Sequence, residues 1–314
     1  MTMIRTPWPD SGTVVTDGGL ETWLLFVRGI DLPEFAAYPL VADSDGRCVL
    51  DEYYDAYLAI ATGAGVHVVI ETPTWRANPD WAARLGHDRD ALGTMIDAAV
   101  ALARAARERF DGNGTALVSG AIGPRGDGYV LSELMDAAEA EAYHAFQIRR
   151  MAVAGVDLVT AMTLGYVNEA VGIVGAAAAA GVPVVIGFTV ETDGTLPSGM
   201  TLVDAIAATD AATDGYATHF MINCAHPTHF ASALGDGGPL IGRIGAIRAN
   251  ASTLSHAELD EMTELDDGDP AELAARYLEL RAVLPGLRVL GGCCGTDHRH
   301  VGAIVDAWVG APAV

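Results

Sequence analysis

Cysteine is scarce in this chain, four in 314 residues, too few for a disulfide scaffold of this length. Basic residues are scarce as well: 18 Lys and Arg stand against 41 Asp and Glu, a formal charge of -23. So acidic a surface repels phosphate backbones, which argues against a nucleic-acid partner and for solubility, without identifying a substrate. No stretch reads as a membrane span. Ala170 to Phe188 comes nearest, being uncharged, but Gly181 and Pro183 divide it into the end of a helix and the start of a strand. The opening segment, Met1 to Pro9, lacks the basic stretch and apolar core of a secretory leader. The expected compartment is therefore a reducing cytoplasm, where free thiols persist. A phosphate-cradling Gly-x-Gly-x-x-Gly is missing too, since Gly112, Gly114 and Gly120 are too scattered to form one.

What is present is a large apolar complement, 51% hydrophobic residues with 36 glycines, as in a globular chain with a sizeable core. Short β-branched segments alternate with longer Ala-rich ones, the rhythm of repeated βα units. The pattern predicts strands at Thr13–Thr16, Val66–Ile70, Ala116–Ser119, Asp157–Thr160, Pro183–Phe188, Thr218–Asn223, Ile244–Ala249 and Arg288–Leu290. Most are apolar on both faces, as buried parallel strands are. Helices are predicted at Asp51–Ala64, Asp88–Phe110, Asn168–Ala180, Thr201–Ala212, Asp269–Leu284 and Thr296–Trp308. Another runs to about Ala154, with Ser132 as N-cap and Glu133 and Asp136 in its first turns.

Eight strands with their helices fit an α/β fold of the (β/α)8 TIM-barrel class, for which ~250 residues is typical. The expected organisation is one barrel domain over residues 1–314, with an inserted loop region at about 24–50 that is too long for an ordinary βα turn. Such a barrel gathers Asp17, Glu71, Cys224 and Cys293 around one pocket, because each follows the carboxyl end of a strand.

The cysteines carry the chemistry. Gly291-Gly292-Cys293-Cys294-Gly295-Thr296 follows the last strand, and Cys224 ends the sixth. Neighbouring cysteines are poorly placed to bond to each other, whereas flanking glycines let the backbone turn both thiolates onto one soft metal. Three sulfurs leave one tetrahedral position open, as a catalytic zinc requires. The competing reading is ordinary buried cysteine, a small apolar residue. Cys48 reads as a loop or core thiol. His226 and His229 are weaker ligand candidates, since Cys224 with His226 would be an unusually tight spacing.

Together, Asp17-Gly18-Gly19, Glu71-Thr72 with Ala77-Asn78, Asn223-Cys224 and the terminal Gly-Gly-Cys-Cys-Gly-Thr make the chain resemble the homocysteine S-methyltransferase family over nearly its whole length. Those are zinc-dependent methyltransferases on a (β/α)8 barrel. The resemblance implies that Cys224, Cys293 and Cys294 hold Zn2+. It also implies a small thiol acceptor, homocysteine or a related thiol, and a small sulfonium donor entering the same barrel. S-methylmethionine leads as donor, ahead of S-adenosylmethionine or a betaine-like molecule. The chain ends soon after the cysteine pair, without room for folate and cobalamin domains. A free thiol has a pKa of about 8.5, so the metal's open position would serve to hold the acceptor as a thiolate.

One departure stands out. The family usually has a glutamate after the fourth strand that binds the amino group of homocysteine. Here the matching residue is Met162, which cannot pair with an ammonium. The acceptor then lacks that ammonium, binds in another orientation, or relies on Glu71 or Asp17. Asp17 is the leading polar substrate contact. The backbone N–H groups of Gly18 and Gly19 are candidates for a carboxylate, or the glycines serve tight loop geometry. Glu71 is a candidate for an amino group or a sulfonium. Trp75 and Trp81 would pack on a cationic donor or within the protein. Asn223, Asn250 and Tyr166 are candidates for the group that fills the metal position when substrate is absent. Asp297-His298-Arg299-His300, where the family often has proline, reads as a solvated helix start. Two other functions fit the same residues: a zinc hydrolase using Glu71 or a histidine as acid or base, and a metal-binding regulatory protein on the same scaffold. The oligomeric state is not legible.

Overall fold

The computed structural model describes residues 7–132, 134–234 and 238–312. Eight parallel strands close into a barrel in sequence order. They are β1 Val14–Val15, β2 His67–Glu71, β3 Ala116–Ile122, β4 Leu158–Leu164, β5 Val184–Phe188, β6 His219–Asn223, β7 Ile244–Ala249 and β8 Val289–Gly292. Closure is made by β1 lying against β8, Val14 opposite Val289 and Val15 opposite Leu290. The helices are α1 Leu20–Thr22, α2 Ser44–Ala64, α3 Pro79–Arg84, α4 Arg89–Arg109, α5 Ala137–Ala154, α6 Val167–Ala180, α7 Leu202–Ala212, α8 Pro227–Phe230, α9 His256–Asp260, α10 Pro270–Val283 and α11 His298–Gly310. None of the described helices is long and apolar enough to cross a membrane.

Every strand sends one apolar side chain to the barrel axis: Val14, Val69, Leu117, Leu158, Val185, Met221, Ala246 and Val289 pack into one buried cluster. Ala121 and Met162 belong to the same cluster and also line the cleft above it. The interior is a filled core, and the cleft opens at the end where the strands finish. The outward residues of the strands meet the apolar stripes of the helices in two larger clusters.

Many acidic residues are spent on helix starts. Asp43, Asp88, Asp136, Asp269 and Asp297 each accept a backbone N–H at the head of a helix, where orphan donors and the positive dipole end favour a carboxylate. The structure moves several expected boundaries. The helix expected from Ser132 begins at Ala137, because Asp136 forms a capping box with Glu139; Glu133 lies outside the described residues, as does the start of the opening segment, 1–6. The region expected as loop at 24–50 is helical from Ser44, again set by an aspartate cap. Its remainder is a series of short helical turns, at Trp23–Val27, Pro33–Phe35 and Tyr38–Ala42. Strands β3 and β4 run on through Gly120–Ile122 and Ala161–Leu164, since pairing with their neighbours outweighs the weak strand preference of Gly, Ala and Met.

Candidate metal centre and substrate cleft

Cys224 follows the last residue of β6 and holds a left-handed backbone, φ 53°, fixed by its N–H to Arg248 O at 3.0 Å and by its carbonyl, which accepts from His256 Nε2 at 2.5 Å and Thr189 Oγ1 at 3.3 Å. Cys293 and Cys294 follow β8. Cys293 N donates to Ala249 O at 2.7 Å, and its carbonyl accepts from Thr296 N and from Thr296 Oγ1. Ala251 N donates to Cys294 O. Two close approaches make glycine obligatory here. A Cβ on Gly292 would collide with Thr296 Oγ1, and one on Gly19 with Cys293 O. The loops after β1 and β8 therefore touch backbone to backbone, with Gly19 N donating to Thr296 O at 3.0 Å.

The result is convergence. The sulfurs of Cys224, Cys293 and Cys294 all lie within 4.8 Å of one another. Cys224 and Cys293 are joined as a disulfide and Cys294 is free, so where the sequence suggested three free thiols, two are bonded. The sequence-adjacent pair is not the one that bonds, and the Cα–Cα distance across the bridge, 5.3 Å, is an ordinary one. Burial pushes the Cys294 thiol up to about 11. Once reduced, the three soft sulfurs at one point fit zinc by donor type and number, with a position left open. Cys48 lies apart, exposed on α2 rather than in a loop or the core.

The sulfurs stand at one wall of a cleft of about 420 Å³, the size range of small-molecule sites. Asp17, Gly18, Gly19, Glu71, Met162 and Asn223 all line it. Their side chains differ in how far they are already committed. Asp17 is buried, with Oδ1 2.7 Å from Arg248 Nη2 and Oδ2 accepting from Tyr53 OH at 3.1 Å. Glu71 is also buried, its Oε1 3.9 Å from Arg248 Nη1, while Oε2 has no partner. Burial pushes the Glu71 carboxyl up to about 7 against the pull of Arg248. Asn223 spends its amide on Thr163, accepting from Thr163 N at 2.9 Å and donating to Thr163 Oγ1 at 2.9 Å. It thereby holds Thr163 at φ 65° beside Met162.

The N–H of Gly19 is used within the fold, donating to Thr296 O. Tyr166 caps α6 and accepts from Met135 N at 3.2 Å, away from the cleft lining, whereas Asn250 lines it with a buried, unpartnered Oδ1. Neither His226, which caps α8, nor His229 lines the cleft. His300 is fully buried rather than solvated, its Nε2 2.7 Å from Asp267 O. The faces of Trp75 and Trp81 already carry a cation of the chain itself, Arg76, at 4.5 and 3.8 Å.

Sequence reasoning missed Arg248, Glu21, Arg76 and Tyr129. Arg248 is buried at the end of β7 and donates to Gly292 O, Thr16 Oγ1 and Gly18 O besides pairing with Asp17. An arginine in the otherwise apolar run Ile244-Gly245-Ala246-Ile247-Arg248-Ala249 was the available signal. Tyr129 stacks on His256 at 3.9 Å and lines the cleft with Cys294.

A model of the homocysteine S-methyltransferase family matches residues 14–308. The chain belongs to the homocysteine S-methyltransferase family. It is an enzyme of methyltransferase type on that family's scaffold. No curated sequence matches it significantly. Among solved structures it is similar to the homocysteine methyltransferase MmuM of Escherichia coli. The oxidized form of that protein is 22% identical with a TM-score of 0.75, over 96% of this chain and 98% of that one. Its metallated form is 23% identical with a TM-score of 0.73, over 95% and 96%. At such identities the likeness is one of fold, and it extends over the whole barrel.

Proposed function

We propose that this enzyme transfers a methyl group from a small sulfonium, S-methylmethionine first among them, to a small thiol, homocysteine or a related one, with zinc held by Cys224, Cys293 and Cys294. The observation that carries this reading is the convergence of the three sulfurs on the wall of a small cleft rich in carboxylates. When bound, zinc would supply the positive charge that keeps a thiol ligand deprotonated at neutral pH.

The chain's own residues supply the rest. The acceptor sulfur forms a bond to the methyl carbon as the carbon–sulfonium bond breaks, and its electron pair stays on the donor sulfur as a neutral thioether. The thiol proton goes to solvent. No protein group has to protonate the leaving group, so the charged groups of the cleft need only bind and position. Asp17 and Glu71 hold Arg248, Arg248 holds the turns after β1 and β8, and those turns set the cysteines. The surplus of acidic groups around the mouth attracts a sulfonium donor. Leu25, Phe26, Phe35 and Met262 line the outer cleft and would exclude water from the bound pair.

The test is to incubate the reduced, zinc-loaded protein with S-methylmethionine and a panel of thiols and to detect methyl thioethers by mass spectrometry. Formation of a methyl thioether is expected. Ester or amide turnover without methyl transfer would favour a hydrolase, and no turnover of either kind a binding protein.

A further inference from the structure

Two opposite charges face the cleft without an ion-pair partner among the described residues. Glu21, on the turn after β1, lines the cleft and forms no ion pair among the described residues. Burial outweighs every nearby charge on it. Arg76, on the loop after β2, lines the same cleft, and no carboxylate among the described residues lies within ion-pair distance of it. Its Nη1 donates to Gly126 O at 3.2 Å, its Nε has no partner, and its plane is held between Trp75 and Trp81. Of the acids around Arg76, Asp127 of the same cleft acts on it most and Glu21 next, neither at ion-pair distance. Arg76 is buried and Glu21 half-buried, and withdrawing charge from water this way is costly unless something completes it.

The other polar groups of the cleft sharpen the requirement. Asp17 is already paired with Arg248, and the N–H of Gly19 is already donated to Thr296. The unpartnered buried oxygens that remain, Glu71 Oε2 and Asn250 Oδ1, are acceptors. The missing occupant must therefore bring several donors to the acidic side and an acceptor pair to Arg76. A sulfonium has no N–H to give. An α-amino-acid head, with an ammonium and a carboxylate two bonds apart, supplies both. Glu21 and Cys294 line the same cleft, so the head sits on the side of the sulfur cluster.

Resting on the methyl-transfer reading above, we propose that Glu21 and Arg76 form a zwitterion clamp for the α-amino-acid head of the thiol acceptor, Glu21 taking its ammonium and Arg76 its carboxylate. Charge recognition is thereby moved from the end of β4, where Met162 stands, to the turns after β1 and β2.

The experiment is calorimetric binding to the reduced protein of three thioethers: L-methionine, its desamino analogue 4-(methylsulfanyl)butanoate, and its decarboxylated analogue 3-(methylsulfanyl)propan-1-amine. Wild type should prefer L-methionine over each analogue by about 10- to 100-fold. Glu21→Gln should abolish the preference over the desamino analogue alone, and Arg76→Met the preference over the decarboxylated analogue alone. Glu21→Asp, which keeps the charge, should retain most of the preference and so separates lost recognition from lost folding. Unchanged preferences in folded Glu21→Gln and Arg76→Met would overturn the clamp. So would kinetics in which Glu21→Gln alters discrimination only between amino-bearing and amino-free sulfonium donors. Methyl transfer measured beside the binding keeps the two readings apart. Transfer without Glu21- or Arg76-dependent selectivity sinks the clamp alone, and selectivity without transfer sinks the methyl-transfer reading alone.

Discussion

The two walls of the cleft are built on different principles. The sulfur wall, after β6 and β8, is made of backbone: Cys224 and the cysteine pair are positioned by main-chain hydrogen bonds and by glycines that let two loops touch. The adjoining wall, after β1 and β2, is made of charge, with Asp17 and Glu71 buried around Arg248 of β7 and Glu21 and Arg76 facing the cleft. Local sequence marks the sulfurs, because each stands in a motif at a strand end. Placing a charge needs the whole barrel, because its partner comes from a strand far away in the chain. The sulfur wall is suited to one fixed chemistry, and the charged wall to choosing the molecule that receives it.

The largest effect is expected at the sulfur wall. Cys294→Ala should lose zinc below unit stoichiometry and bring methyl transfer down by more than about 100-fold, since even groups supporting a ligand are worth that much. Metal analysis after purification in reductant, paired with the mass-spectrometric assay, checks it. A variant that keeps one zinc per chain would show that the three sulfurs do not act as a set.

The charged wall should instead respond in stability. Arg248→Met leaves Asp17 and Glu71 buried without their cation, a loss of about 3 to 5 kcal/mol where one partner of a buried pair is removed. Denaturant unfolding of the two reduced, metal-free proteins measures it, and a change below about 1 kcal/mol would mean the pair is solvated after all.

Glu71 gives the same wall a pH signature. Its carboxyl is raised from 4.5 to about 7 in the fold, chiefly by burial. Between those values the folded protein holds a proton that the unfolded chain has released, so stability falls as pH rises through that window. Glu71→Gln should remove this part of the slope, up to about 3 kcal/mol between pH 4.5 and 7. Glu21, also raised to about 7, keeps its own share in both proteins, so the difference between the two curves isolates Glu71. Parallel curves would contradict the burial-driven shift.

What was legible in the sequence follows the same division. The barrel and its strand order came from alternation of short apolar and long Ala-rich segments, and β7 was read to the residue, Ile244–Ala249. The cysteine cluster came from two local motifs at strand ends. Helix α2 was read too short because its start depends on one aspartate side chain capping Gly46, and β3 and β4 too short because their final residues are strands only by virtue of their neighbours. Glu21 and Arg76 were passed over because each is an ordinary charged residue beside a motif. Only barrel closure shows that neither meets an ion-pair partner among the described residues. Asn223 was legible as a residue at the site, but its amide is turned toward Thr163, which no spacing reveals.

The smallest expected effect tests the link between the walls. If Glu21 supplies the charge that Met162 does not, then Met162→Glu alone should change the preference for homocysteine over its desamino analogue 4-sulfanylbutanoate by less than about threefold, under 1 kcal/mol. In a Glu21→Gln background the same Met162→Glu change should restore about tenfold preference, because the pocket then regains a carboxylate from β4. Such non-additivity is the mark of two residues serving one contact. The ratio of kcat/KM for the two thiols is the readout, so differences in metal content cancel. Equal gains from Met162→Glu in both backgrounds would mean that Glu21 and residue 162 face different parts of the acceptor, and that the charge missing at β4 is not replaced at β1.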